Sequence, residues 1–172
     1  MEVEKAIRTR RTHKAFGPRP VEPAVLHELF ELASWAPNHH LTNPWRFRVL
    51  GERTRAALME LAESEQPGSA VKLRRAPTLV AVGARRSGEE AQDREDMLAT
   101  AVAAYIVLLG AHARGLAAYW RTVGLLDDPR GRALLRVPDE ETPLGLLYLG
   151  EPIQEQRVPE RAPVGEFVIE LE

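Results

Sequence analysis

Residues 8–14, Arg-Thr-Arg-Arg-Thr-His-Lys, put four cations and two hydroxyls into seven positions. Planar guanidinium forks beside the Thr12 hydroxyl match the oxygens of a phosphate. The same arginines would equally complement the dipole at a solvated helix end. A second segment, residues 35–45, is bounded by Pro37 and Pro44 and carries Trp35, His39, His40, Asn43 and Trp45. It suits either a proline-rich turn with core tryptophans or a cofactor wall in which His39 and Asn43 hydrogen-bond a polar ring edge. The third is residues 115–122, Gly-Leu-Ala-Ala-Tyr-Trp-Arg-Thr. It reads as a strand ending in the exposed groups Trp120, Arg121 and Thr122, or as a strand with an amphipathic end and no further role.

Other chemistries are missing from the chain. No G-x-G-x-x-G follows a strand, and there is no Walker sequence, no G-x-S-x-G elbow and no H-E-x-x-H. Cysteine is absent, which removes disulfide frameworks, thiolate metal sites and cysteine nucleophiles together. Adjacent His39 and His40 diverge in an extended loop with no acidic cluster beside them, so no metal site is expected. If the protein is an enzyme, these absences favour a reactive group on a bound cofactor over a side-chain triad.

These segments need a frame. The 172 residues have the length of one domain, and 44% apolar with 28% charged residues is ordinary for a globular protein. A net charge of −2 without a Lys/Arg block argues against nucleic acid or an anionic membrane surface as partner. No apolar signal region opens the chain, and the expected location is the cytoplasm. The uncharged run 97–113 is short for a membrane span and rich in small residues, which suits a buried helix.

Periodicity predicts helices over 3–10, from Pro23 to about Trp35, over 53–65, and through 97–113 behind the acids Glu89 to Asp96. Strands are predicted at 46–50, 78–84, 117–121 and 144–149. Residues 166–171 alternate apolar Phe167, Ile169 and Leu171, the pattern of a terminal strand at the end of an arm, 151–172, rich in proline and charge. Such a strand either folds back locally or adds to a partner's sheet edge. Helix and strand do not alternate regularly, which predicts an α+β sandwich rather than a doubly wound sheet.

Taken together the motifs resemble the nitroreductase family, in its short compact branch. Arg10-Arg11-Thr12-His13-Lys14-Ala15-Phe16 looks like the family's opening pattern. Residues 36–47 look like its Ala-Pro…Gln/Asn-Pro-Trp-x-Phe loop, and Leu149-Gly150-Glu151-Pro152 resembles its Leu-Gly-x-Pro segment. The order and spacing hold over about residues 3–152. The resemblance implies a three-layer α+β sandwich with a mostly antiparallel central sheet, a homodimer, in which exchange of the C-terminal strand is one of the two options for the arm, and one FMN per subunit at the interface.

By position, Arg10, Arg11 and Thr12 would hold the FMN phosphate and its polar neighbours, and Lys14 would lie near the N1/O2 edge of the ring. Trp35, His39 and Asn43 would approach the flavin from the other subunit, although many members carry Gln where this chain has Asn43. Trp120, Arg121 and Thr122 would line the reactive face and edge. Arg157 and Arg161 are candidates for the basic residues with which many members reach the phosphate from the C-terminal side. The implied activity is two-step hydride transfer, with NADH or NADPH as transient donor and a nitro compound, quinone or activated alkene as acceptor. A flavin dehydrogenase or flavin-modifying enzyme on the same scaffold, and a non-catalytic FMN-binding sensor, are the alternatives.

Overall fold

The structure is a computed structural model and describes residues 1–171. Its frame is β2, Thr78–Arg85, which is buried at every position up to the exposed Arg85. A strand so apolar must be covered on both faces. It pairs antiparallel with β1, Trp45–Val49, on one side and with β4, Glu141–Gly150, on the other, and β3, Ala117–Arg121, closes the order β1-β2-β4-β3. All three pairings are antiparallel.

Alternate residues of these strands feed two cores. Leu79, Ala81, Leu146 and Tyr148 face α3 (Glu52–Glu65), α4 (Pro67–Leu73) and α6 (Pro129–Leu134). Val80, Val82, Leu147 and Leu149 face α2 (Pro23–Ala33) and α5 (Glu90–Ala113), with α1 (Val3–Thr9) packed on α5. The layers are helix, sheet, helix, the α+β sandwich expected. By length and composition α5 could cross a membrane, yet half of that apolar stretch is buried inside the protein. Its buried face is mostly small, Ala99, Ala103, Ala104 and Ala111, which lets α2 and the sheet come close.

The structure differs from the sequence expectation in four places. The terminal strand at 166–171 does not form: a short 3-10 turn spans Val164–Glu166, and Phe167, Ile169 and Leu171 lie exposed. Alternation makes a strand only where an edge and an apolar face receive it, and within one chain none does. Helices α4 and α6 went unpredicted although Pro67 and Pro129 open them and Asp128 caps Arg130 N at 2.8 Å. Strand β4 begins three residues early, at a buried Glu141 whose carboxylate takes a bidentate ion pair from Arg48. Finally, α5 starts at Glu90, so Asp96 lies inside the helix and is buried rather than part of a solvated start.

Candidate functional site

Helix α1 is only seven residues long, and Arg10 N closes it on Ala6 O. The chain then runs along the outer edge of β3, where Thr12 forms a parallel bridge with Ala118 and His13 N donates to Ala118 O at 3.1 Å. This contact brings the 10–14 segment to the 117–122 segment, and the chain bends at Lys14 before Phe16 meets Pro152. The Arg10 guanidinium carbon sits 5.9 Å from the Tyr105 ring centroid, and its Nε is buried without a hydrogen-bond partner. Arg11 turns one nitrogen back onto Arg8 O (2.7 Å) and Arg10 O (2.9 Å), so it does cap the helix end. Thr12 and Lys14 are exposed.

Two imidazoles lie behind these arginines. His112 Nε2 is 2.8 Å from Thr9 Oγ1, and His13 Nδ1 is buried without a partner. Burial chiefly, then His112 and Arg10, holds His13 below its ordinary value. Burial again, then Arg10 and Arg11, does the same for His112. Both rings stay neutral near pH 7, and the local positive charge is carried by arginine.

The arm completes the cluster. After Gly150 it folds back over α1, and Arg157 and Arg161 meet Arg10, Arg11 and Thr12 around a cleft of about 190 Å³. A second cleft of about 460 Å³ adjoins it, sharing Arg10, Arg11, Pro159 and Arg161 and adding Arg8, Tyr105 and Val158. No carboxylate lines either one among the described residues. Nor does Arg10, Arg11, Arg157 or Arg161 enter an ion pair among them. Guanidinium groups gathered without counterions have the donor geometry to receive an anion.

The loop from Trp35 to Trp45 is elsewhere. Trp35 is 82% exposed, and a 3-10 turn, His39–Leu41, leads through left-handed His40, Leu41 and Asn43 (φ 53°, 51° and 46°). Asn43 Nδ2 donates to Leu41 O at 2.8 Å, and Asn43 N to Asn38 Oδ1 at 2.9 Å, so that side chain serves the loop itself. His39 and His40, expected to diverge in an extended loop, instead share this 3-10 turn with their rings tilted and 3.9 Å between centroids. Thr42 touches α5 at Asp96, whereas Arg10 touches it at Tyr105 and Thr9 at His112. At 1.5 Å per residue those anchor points are about 14 and 24 Å apart along the helix. One chain therefore does not bring Trp35, His39 and Asn43 to its own arginine cleft.

Trp120 and Arg121 leave opposite faces of β3. Trp120 donates its indole N–H to Leu144 O at 3.1 Å, on the α2/α5 side. Gly145 follows at φ 131°, where a Cβ would come within 2.5 Å of Arg121 O, so only glycine permits this approach of β4 to β3. Arg121 points into the other layer, donating to Ser69 Oγ at 3.1 Å and to the Tyr148 hydroxyl at 3.4 Å, and Thr122 is exposed. Burial pushes the Tyr148 hydroxyl up. Ser69 in turn donates to Gln66 Oε1, and Gln66 lies against Gly124. Gln66 and Ser69 thus join the β3 end, a neighbourhood that sequence reasoning missed; the proline-opened helix at Pro67 was its one signal. Among the described residues no group of histidines and acids could hold a metal.

A family model described as the Nitroreductase family matches residues 7–151. The Bacillus subtilis (strain 168) protein YfhC, named for an NAD(P)H nitroreductase activity, is 25% identical over 178 residues, covering 96% of this chain and 92% of its own. A Methanothermobacter thermautotrophicus protein, named for NADH dehydrogenase or NAD(P)H nitroreductase activity, is 30% identical over 161 residues, covering 90% of this chain and 79% of its own. The crystal structure of a nitroreductase-like family protein from Bacillus cereus superposes with a TM-score of 0.88 at 24% identity, over 100% of this chain and 97% of that one. One from Desulfovibrio desulfuricans, solved in complex with FMN, gives 0.83 at 24% identity, over 99% and 96%.

Proposed function

Because this chain belongs to the nitroreductase family, we propose that it is an NAD(P)H-dependent oxidoreductase with FMN as resident cofactor and an electron-poor small molecule as acceptor. The observation that carries the reading is the cleft where Arg10, Arg11, Arg157 and Arg161 meet without a counterion. The buried, unbonded Nε of Arg10 lacks an acceptor that a phosphate oxygen would supply. The donor set therefore fits the single terminal phosphate of FMN.

FMN held there would supply two-electron hydride chemistry between a transient NADH or NADPH donor and a nitro compound, quinone or activated alkene. The chain's own residues bind and orient. Arg10, Arg11, Thr12, Arg157 and Arg161 hold the phosphate. Lys14 offers positive charge to the N1/O2 edge, where negative charge develops on reduction. The end of β3, with Trp120 on one face, Arg121 on the other and Thr122 exposed beyond them, would adjoin the ring, and Trp35, His39 and Asn43 of a second subunit would close over it.

The homodimer is supported by the separation of loop and cleft along α5. The exposed apolar stripe Leu98, Val102 and Tyr105 supports it too, as does the outer edge of β1, to which Phe167–Leu171 of a second chain can add. The test is direct. The purified protein should be yellow, release FMN rather than FAD on denaturation, and oxidise NAD(P)H faster when menadione or a nitrofuran is added. A colourless protein that takes up no FMN at micromolar concentration overturns the proposal. A flavin-loaded protein that ignores NAD(P)H points instead to a sensor.

A further inference from the structure

The loop that carries His39 and Asn43 holds three non-glycine residues in the left-handed region, His40, Leu41 and Asn43. Such a backbone persists only where its surroundings over-determine it. Its internal bonds run from Asn38 and Asn43, within the loop itself. Among the described residues one hydrogen bond ties positions 38–43 to a distant helix: Thr42 Oγ1 donates to Asp96 Oδ1 at 2.6 Å. Asp96 is 4% exposed in α5, a helix whose other buried positions are Ala, Val, Leu, Thr and Gly. The same Oδ1 accepts from Gln92 Nε2 at 3.0 Å, and the Asp96 carbonyl accepts from Thr100 Oγ1 at 2.8 Å. Taking a carboxylate out of water is costly unless donors meet it. Here the donors are its own helix neighbour and the loop. Apolar packing would be served better by leucine, so the acid at this position is explained by what it holds.

We propose that Asp96 is a positioning residue, which through Thr42 clasps the 38–43 loop in the one conformation that presents His39 and Asn43 to the flavin of a second subunit; this rests on the cofactor reading above. Asp96 itself touches no reacting atom. Its contribution is pre-organisation: an ordered loop loses less entropy when the flavin arrives.

The test uses the flavin-loaded dimer and four variants, Thr42→Val, Thr42→Ser, Asp96→Asn and Asp96→Ala. Hydrogen–deuterium exchange reports the 38–43 amides, and FMN affinity and flavin visible circular dichroism report the site. Losing a charge-assisted bond should weaken FMN binding about tenfold in Thr42→Val and in Asp96→Ala, with faster exchange in the loop and an altered dichroism. A fifth variant combining Thr42→Val with Asp96→Ala should be no worse than either single one, because both remove one clasp. Thr42→Ser, which keeps the hydroxyl, should rescue all three readouts. Should Asp96→Ala fail to fold, Thr42→Val and Asp96→Asn leave the core volume intact and carry the test. Faster exchange with unchanged FMN affinity and dichroism overturns the proposal, since the bond would then be merely structural. Unchanged exchange, or additive losses in the double variant, overturns it equally. A wild type that binds no FMN overturns the cofactor reading and this one together, before any variant is made.

Discussion

Two arginine-rimmed clefts of this molecule differ in whether carboxylates neutralise the arginines. Near the start of α2, Arg19 and Arg114 flank a cleft of about 350 Å³ floored by Val21, Val25 and Leu116. Arg19 is paired with Glu151 at 2.5 Å and Arg114 with Glu28 at 2.9 Å. Each pair, being largely exposed, contributes little stability, yet it cancels the field. Around Arg10, Arg11, Arg157 and Arg161 no carboxylate intervenes, and the positive charge is strong enough to help keep His13 and His112 neutral. The same residue type is neutralised by carboxylates in one place and left without counterions in the other. Counterions make the difference, more than cleft shape does.

The largest effect should come from emptying the unpaired cleft. Arg10→Ala should weaken FMN binding roughly tenfold or more, oxidised and reduced forms alike, since charge-assisted bonds contribute ~1.5–3 kcal/mol each. Adding Arg161→Ala should deepen the loss, as titration of apoprotein with FMN would register. Arg114→Ala, in the paired cleft, should leave FMN affinity unchanged; an equal loss there would dissolve the comparison.

Truncation after Gly165 comes next. It leaves Arg157 and Arg161 in place but removes Phe167 to Leu171, so dimer dissociation and flavin release should rise together. Analytical ultracentrifugation at flavin and protein wavelengths checks this, and a truncated, flavin-loaded dimer would show that the arm exchanges no strand. Lys14→Met should act differently from Arg10→Ala. Oxidised FMN should bind almost as before, while the two-electron potential falls by roughly 30 mV if about 1.4 kcal/mol of selective attraction for the reduced flavin is lost. Photoreduction against a reference dye reads it.

A smaller effect is expected from pH. His13 and His112 are held below their ordinary value of 6.5 in the folded chain, so unfolding takes up protons. Stability of the FMN-free protein should therefore be level above that value and decline as pH falls through it. Both rings are part-exposed, so the decline is modest. Urea midpoints at about pH 7.5 and 5.5 should separate the wild type from His13→Gln, which should flatten the dependence. The smallest effect sharpens the comparison from the other side. Glu28→Gln with Glu151→Gln frees Arg114 and Arg19, and should give the second cleft weak phosphate affinity with under about 1 kcal/mol change in stability.

The fold was legible where periodicity is local. The apolar run of β2 and the proline-opened α2 could be read directly, because burial on two faces or on one stripe leaves its mark residue by residue. The motif at 10–14 and its neighbour at 117–121 were legible as separate pieces, and the Thr12–Ala118 bridge joins them. Helix α4 was missed since seven residues carry too little periodicity, and with it went Gln66 and Ser69 beside Arg121. Glu141 hid the start of β4, because a charge reads as exposed until its partner, Arg48, is found 93 residues away.

By itself the sequence determined the longer helices and the four strands of the sheet, the family's ordered motifs and the supply of arginine at both ends of the chain. Only the tertiary structure decided which arginines stay free. Glu28 reaches Arg114 across 86 positions, and Arg157 and Arg161 reach Arg10 because the arm folds back over α1. It decided equally that Asp96 is a buried clasp for Thr42 and that 166–171 is no strand within one chain. Pairing and burial depend on which segments the sheet brings together, and charges distant along the chain leave no local pattern of that meeting.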